Sequence, residues 1–285
     1  MRFASGTSTT RASFSEPRMP EVLLTLASLS VLAGAYGARA RTLARRDAAV
    51  PTMRMACFAA GVGVLGVALL PPFADFAEGD LFVAHMAQHL LLVDLAPPLL
   101  LAGLTGPLLR PVLAVLPARA LRRITHPCVA LPVAFALLVG WHVPLLFDAA
   151  VRQEPVHVLE HVSFVTAGML VWLPVLETLP APAWFGTGAK LGYLLLWRLG
   201  QTALGNVLLW ATVPLYAVYE GVDRIDALED QRLAAALMMG EGSVLFLALA
   251  VWLGAAAFRD AERRQSLIEG GIEERRAGRA VRYGR

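Results

Sequence analysis

The chain has 285 residues, of which 57% are hydrophobic and only 16% charged, with a mean hydropathy of +0.59 and a net charge of +3. That is too little polar surface to clothe a soluble globule of this size, so the chain belongs in a lipid bilayer. Its basic residues fall in clusters between and after apolar runs, the pattern of membrane loops, which argues against nucleic acid as a partner.

A helix rising 1.5 Å per residue needs roughly 20 apolar residues to cross about 30 Å of hydrocarbon. On that criterion the sequence predicts an all-α, multi-pass transmembrane bundle of about seven spans near 20–38, 55–74, 81–103, 127–147, 156–176, 189–215 and 232–257. Residues 1–19 are Ser/Thr-rich and expected to be a disordered extracytoplasmic N-terminus. Residues 20–258 form the seven-helix domain, and 259–285 an Arg-rich, solvated cytoplasmic tail. Prolines at 97, 98, 144, 174 and 214 are expected to kink or end helices, which a membrane bundle tolerates when neighbours satisfy the freed carbonyls. Cys57 and Cys128, with no CxxC spacing, read as small apolar core residues.

Orientation follows from the arginines. The connection at 38–54 holds Arg39, Arg41, Arg45, Arg46 and Arg54, that at 104–126 holds Arg110, Arg119, Arg122 and Arg123, and the tail holds eight more. The opposite connections carry Asp75, Glu78, Asp80, Asp148, Glu220, Asp223, Asp226, Glu229 and Asp230. The positive-inside rule then puts the N-terminus outside and the C-terminus in the cytoplasm. A competing reading makes 20–40 a cleaved leader ending in Ala38-Arg39-Ala40, but cleavage would leave the five-arginine loop outside.

With this topology, five of the six histidines fall at one depth. His85 and His89 lie in the first two turns of the third span, His157 and His161 in the first two turns of the fifth, and His142 near the end of the fourth. All five come within roughly 12 Å of the outer boundary; His126 lies in a basic cytoplasmic connection. Residues four apart share a helix face, so the third and fifth spans each present a two-imidazole clip, and two facing clips with His142 could enclose one metal ion. Five imidazoles in or near hydrocarbon need partners, and polar groups there are functional by default. A structural hydrogen-bond network and a proton path are the two other readings. Imidazole suits copper, zinc and iron, while the thioethers of Met86, Met238 and Met239 would favour Cu(I). The outer acidic residues could focus cations toward such a site, or be a solvated loop.

Two further features need separate readings. His157-Val158-Leu159-Glu160-His161 matches the inverted zincin pattern H-x-x-E-H, which would make Glu160 the general base of an intramembrane protease, but a five-residue match is a weak signal. Asp94 and Arg198 fall at estimated depths of about 20 Å and 17 Å, and opposite charges at similar depth suggest a structural ion pair, with Gln201 and Asn206 as further members.

The strings His85-Met-Ala-Gln-His-Leu-Leu-Leu running into Ala96-Pro97-Pro98, Trp141-His142-Val-Pro144 with Phe147-Asp148-Ala149-Ala150, His157-Val-Leu-Glu160-His161-Val-Ser163-Phe164, and Asp230-Gln231 resemble the caa(3)-type CtaG family. Members of that family are multi-pass proteins of the cell membrane that assist the assembly of cytochrome c oxidase. The resemblance covers roughly 75–255 and implies a non-enzymatic factor. Its partners would be oxidase subunits and copper donor proteins, and its cargo copper for the oxidase metal centres. On this reading His85, His89, His157 and His161 are metal ligands, His142 is a fifth ligand or relay, Met86 is an added thioether, and Asp148 and Glu160 orient the imidazoles. The alternatives are a haem-binding membrane electron carrier with one axial His from each of two helices, and a metal or proton transporter.

Overall fold

In a computed structural model that describes residues 19–79, 81–220 and 224–283, every regular element is a helix. The segment expected to be disordered at the N-terminus, up to residue 18, and the acidic Asp80 and Asp223 lie outside the described residues. Twelve α-helices follow in order: α1 (Met19–Ala44), α2 (Thr52–Leu69), α3 (Phe73–Ala77), α4 (Phe82–Leu90), α5 (Ala96–Ala102), α6 (Gly106–Val115), α7 (Ala118–Ile124), α8 (Pro127–Trp141), α9 (Pro144–Arg152), α10 (Glu154–Val175), α11 (Thr187–Trp210) and α12 (Ala227–Tyr283).

By length and composition five of these stretches can cross a membrane: α1, α2, the run Phe82–Ala102, α10, and Ala227–Arg259 of α12. A sixth is added if α7 and α8, bent by 65°, are one broken span. The sequence expectation of seven differs by α11, which is long enough but is interrupted by Lys190, Arg198, Gln201 and Asn206. Arg198 and Gln201 turn inward, to α12 and to Asp94 of the central run, instead of toward lipid. α12 continues as a single helix from Ala227 to Tyr283.

The run Phe82–Ala102 is the centre of the bundle. Two-thirds of it (67%) is buried inside the protein, and half of α10 (50%), against 0% for α1 and 22% for α2 and α12. The central run packs against α2, α10 and α12, while α8 covers α10, α11 lies along α12, and α1 flanks α2. The most enclosed helices are therefore the two that carry the paired histidines.

A defect in that central run lets α10 approach. Pro97 and Pro98 have no N–H to give the carbonyls one turn back, and Leu91–Leu95 relaxes into a π-helical turn before α5 resumes. Gly168 of α10 sits against the opened turn, where even a methyl group would overlap the Val93 carbonyl and the Pro97 ring. Small residues at such contacts let membrane helices approach closely.

The two ends of the bundle are fastened differently. At one end, the C-terminal part of α1 and the first turn of α2 close the turn between α5 and α6: Arg54 donates to the Ala102 and Leu104 carbonyls (3.1 and 2.8 Å), Arg39 to Pro107 (3.0 Å), and Tyr36 to Gly103 (3.0 Å). At the other, the carboxylate of Asp230 accepts from the backbone N–H of Phe82 (2.6 Å) and Val83 (2.9 Å), capping α4 from a neighbouring helix. Gln231 beside it accepts from Leu215 N–H and donates to the Leu208 carbonyl. Asp230 is thus buried and structural, not part of a solvated acidic loop. Cys57 is half-buried and Cys128 exposed on the outer surface of α8, which corrects their assignment to the core.

Candidate metal centre

The four histidines of α4 and α10 face one another. His85 and His89, one turn apart, stand with ring centroids 4.3 Å from each other, and His157 and His161 likewise at 4.1 Å. Across the helix interface His85 meets His157 at 5.4 Å and His89 meets His161 at 5.6 Å, so the rings make a four-cornered cluster. All four are buried.

Carboxylates divide that cluster into two sets. Glu160, fully buried on α10, places Oε2 3.8 Å from His85 Nε2 and 3.7 Å from His89 Nε2. Glu78, at the end of α3, places Oε2 3.8 Å from His157 Nδ1. Within each of the sets His85–His89–Glu160 and Glu78–His157–His161, the ligand atoms lie within 4.8 Å of one another. Each helical pair of imidazoles is therefore completed by a carboxylate from a different element.

Glu160 is more than an orienting neighbour in this arrangement. Both of its oxygens, both ring nitrogens of His89, and Nε2 of His85 and of His161 are buried without a hydrogen-bond partner. A buried polar atom left unsatisfied costs about 1–3 kcal/mol, so a concentration of them at one point marks a site arranged for something other than stability. The carboxylate also turns toward the α4 pair, whereas the zincin reading needs it to serve a metal held by His157 and His161.

Glu78 was read in the sequence only as one acidic residue of an outer connection. Its carboxylate is fixed by Gln88 of α4, whose amide donates to Glu78 Oε1 (3.2 Å) and to the Ala68 carbonyl (2.9 Å). The one sequence signal pointing to it is that polar Gln88 inside an apolar helix.

The remaining predicted site residues lie beside the two sets. His142 sits where α8 breaks, because Val143 precedes Pro144 and adopts an extended conformation. Its Nδ1 is 2.8 Å from the Leu138 carbonyl, which assigns the proton to Nδ1 and leaves the buried Nε2 without a partner. His142 shares a small cavity with His89, Met86, Met238 and Gln201, so the two thioethers are near the cluster but outside both carboxylate sets. Met239 turns away to Asn206. Asp148 faces Arg152 on α9 at 3.8 Å and belongs to neither set. His126 caps α8 and contacts Trp184, away from the other five.

The expected Asp94–Arg198 pair is rearranged. Asp94 accepts from Gln201 (2.6 Å) and Trp197 (3.3 Å) of α11, and Arg198 donates across to the Met238 and Met239 carbonyls and to Ser243 Oγ of α12. The charges line one small cavity, but each is satisfied by other groups, because successive residues of α11 point in different directions. Asn206 bonds within α11 and to Met239 Sδ of α12, and is not a member of the Asp94 network.

The fold and site thus define a helical membrane bundle whose two innermost helices present facing imidazole pairs, each with its own carboxylate, in groupings that could hold a metal ion. The family model for the cytochrome c oxidase caa3 assembly factor (Caa3_CtaG) matches residues 34–260, and the chain belongs to that family. No curated protein and no solved structure matches the chain.

Proposed function

We propose that this chain serves cytochrome c oxidase assembly by receiving copper at the extracytoplasmic face of the cell membrane and releasing it toward the oxidase. One observation carries the reading: fully buried Glu160 lies within 4 Å of two buried imidazoles, and none of the atoms concerned has a hydrogen-bond partner. Such a group is costly in an apo protein and is relieved by a cation. Imidazole donors suit copper, the carboxylate supplies a compensating charge, and Met86 and Met238 in the adjoining cavity offer thioethers along a route of exit.

The membrane topology supports the same side for the site. The arginine-rich connections at 38–54 and 104–126 gather at the end of the bundle opposite His85 and His89, and the positive-inside rule assigns that end to the cytoplasm. With α11 taken as a seventh crossing, the N-terminus lies outside and the histidines sit just beneath the outer headgroups. Ligands at that depth exchange with a donor protein and an oxidase subunit without copper crossing the bilayer, so the chain acts as a carrier and not as an enzyme or transporter.

The test is made in cells from which the chain is deleted. Restoring the wild type restores oxidase activity and the copper content of the isolated oxidase; a variant with His85, His89, His157 and His161 all changed to Ala, present in membranes at wild-type level, restores neither. Full restoration by that variant refutes the proposal.

A further inference from the structure

The geometry points to two cation sites in the histidine cluster, each holding one Cu(I) with two imidazoles and one carboxylate, where the sequence suggested a single ion shared by all the histidines. The inference rests on the copper reading above and concerns its stoichiometry and ligand sets. The inner site is His85, His89 and Glu160; the outer site is His157, His161 and Glu78.

Three observations separate the sites. Metal bonds to imidazole and carboxylate are about 2.0–2.2 Å, so donors to one ion are at most about 4.4 Å apart. The ligand atoms of each triad lie within 4.8 Å of one another, so a shift of a few tenths of an ångström closes either triad on one ion, whereas the six do not group into one such set. Ring spacings agree, at 4.3 and 4.1 Å within each pair against 5.4 and 5.6 Å between pairs. Finally, the carboxylates come from different elements: Glu160 from α10 serves the α4 pair, while Glu78 reaches the α10 pair from beyond α3 and is tied there by Gln88.

Charge argues for the monovalent ion. Each triad contributes one carboxylate charge, so one Cu(I) makes it neutral, whereas a divalent ion leaves a net positive charge in a buried place where uncompensated charge is expensive. One divalent ion neutralised by both carboxylates is the competing arrangement, and it requires the two triads to converge. Accessibility differs as well: the Glu160 triad is wholly buried, while half-buried Glu78 leaves the second triad partly open. An ion would thus arrive at the outer triad and pass to the inner one over the short gap between the His85–His157 and His89–His161 faces.

Anaerobic titration of the purified full-length chain with Cu(I), in competition with a chromophoric Cu(I) chelator, counts the sites. The wild type takes two equivalents; Glu78→Gln and Glu160→Gln, each keeping the shape and fold by circular dichroism, each take one. A wild-type value of one overturns the two-site inference and leaves the copper reading standing, while a value of zero overturns both. Loss of both equivalents from folded Glu160→Gln also overturns it, because the six donors would then act as one centre. Should either variant fold poorly, X-ray absorption on the wild type at one and two equivalents decides: two successive nitrogen and oxygen shells support the inference, and saturation at one refutes it.

Discussion

Replacing Glu160 with Gln should move stability and copper affinity in opposite directions. The carboxylate is fully buried, has no hydrogen-bond partner on either oxygen, and stands 3.8 and 3.7 Å from His85 and His89 Nε2. Removing its charge relieves part of a desolvation cost of about 1–3 kcal/mol, so the apo variant should be as stable as the wild type or up to about 1 kcal/mol more stable. In a chain of this size 1 kcal/mol is about 2–4 °C in apparent melting temperature. With copper the sign reverses. A unit charge about 4 Å from a cation contributes roughly 4 kcal/mol at an effective dielectric of 20, an upper value, and loss of carboxylates around ligating histidines commonly costs about 10–100-fold in affinity. We expect about a hundredfold weaker binding at the inner triad. Thermal unfolding of apo protein in detergent, paired with chelator competition, reads both quantities. A lower apo melting temperature with unchanged copper affinity would refute the reasoning, because Glu160 would then be an ordinary packing partner.

Asp230→Ala leaves the Phe82 and Val83 N–H groups uncapped at the start of the helix that carries His85. It should cost about 1–2 kcal/mol and lower copper occupancy with no ligand touched, both measurable on the same preparation. Gly168→Leu forces α10 off the Val93 carbonyl and Pro97, and should lower the melting temperature by more than any single imidazole substitution. Arg198→Met should destabilise the α11–α12 contact by leaving two carbonyls and a hydroxyl short of a donor, whereas Asp94→Asn, which keeps an acceptor for Trp197 or Gln201, should cost less. Equal melting temperatures for these last two would show that they act as a simple ion pair.

What could be read from the sequence was whatever depends on position along a helix. The i,i+4 spacing of His85 with His89 and of His157 with His161 set them on single faces, and their distance from the span ends brought both pairs to one level. Rotation about the helix axis was not legible. Asp94 and Arg198 were matched in depth, yet they turn to Gln201 and to the Met238 and Met239 carbonyls. Glu78 escaped notice because its role depends on how the short α3 returns the chain over Gln88, a tertiary event without a local pattern. Asp230 misled in the other direction: an acid before an apolar run reads as a solvated loop, and only the neighbouring α4 explains why it is buried. Hydropathy likewise undervalued how α11 spends its polar residues on α12 and Asp94.

The most direct measurement is elemental analysis of the purified, copper-exposed protein beside the variant in which His85, His89, His157 and His161 are all Ala. The account predicts bound copper in the wild type that survives gel filtration and none above background in the folded variant. Equal copper in the two, or none in either, contradicts it.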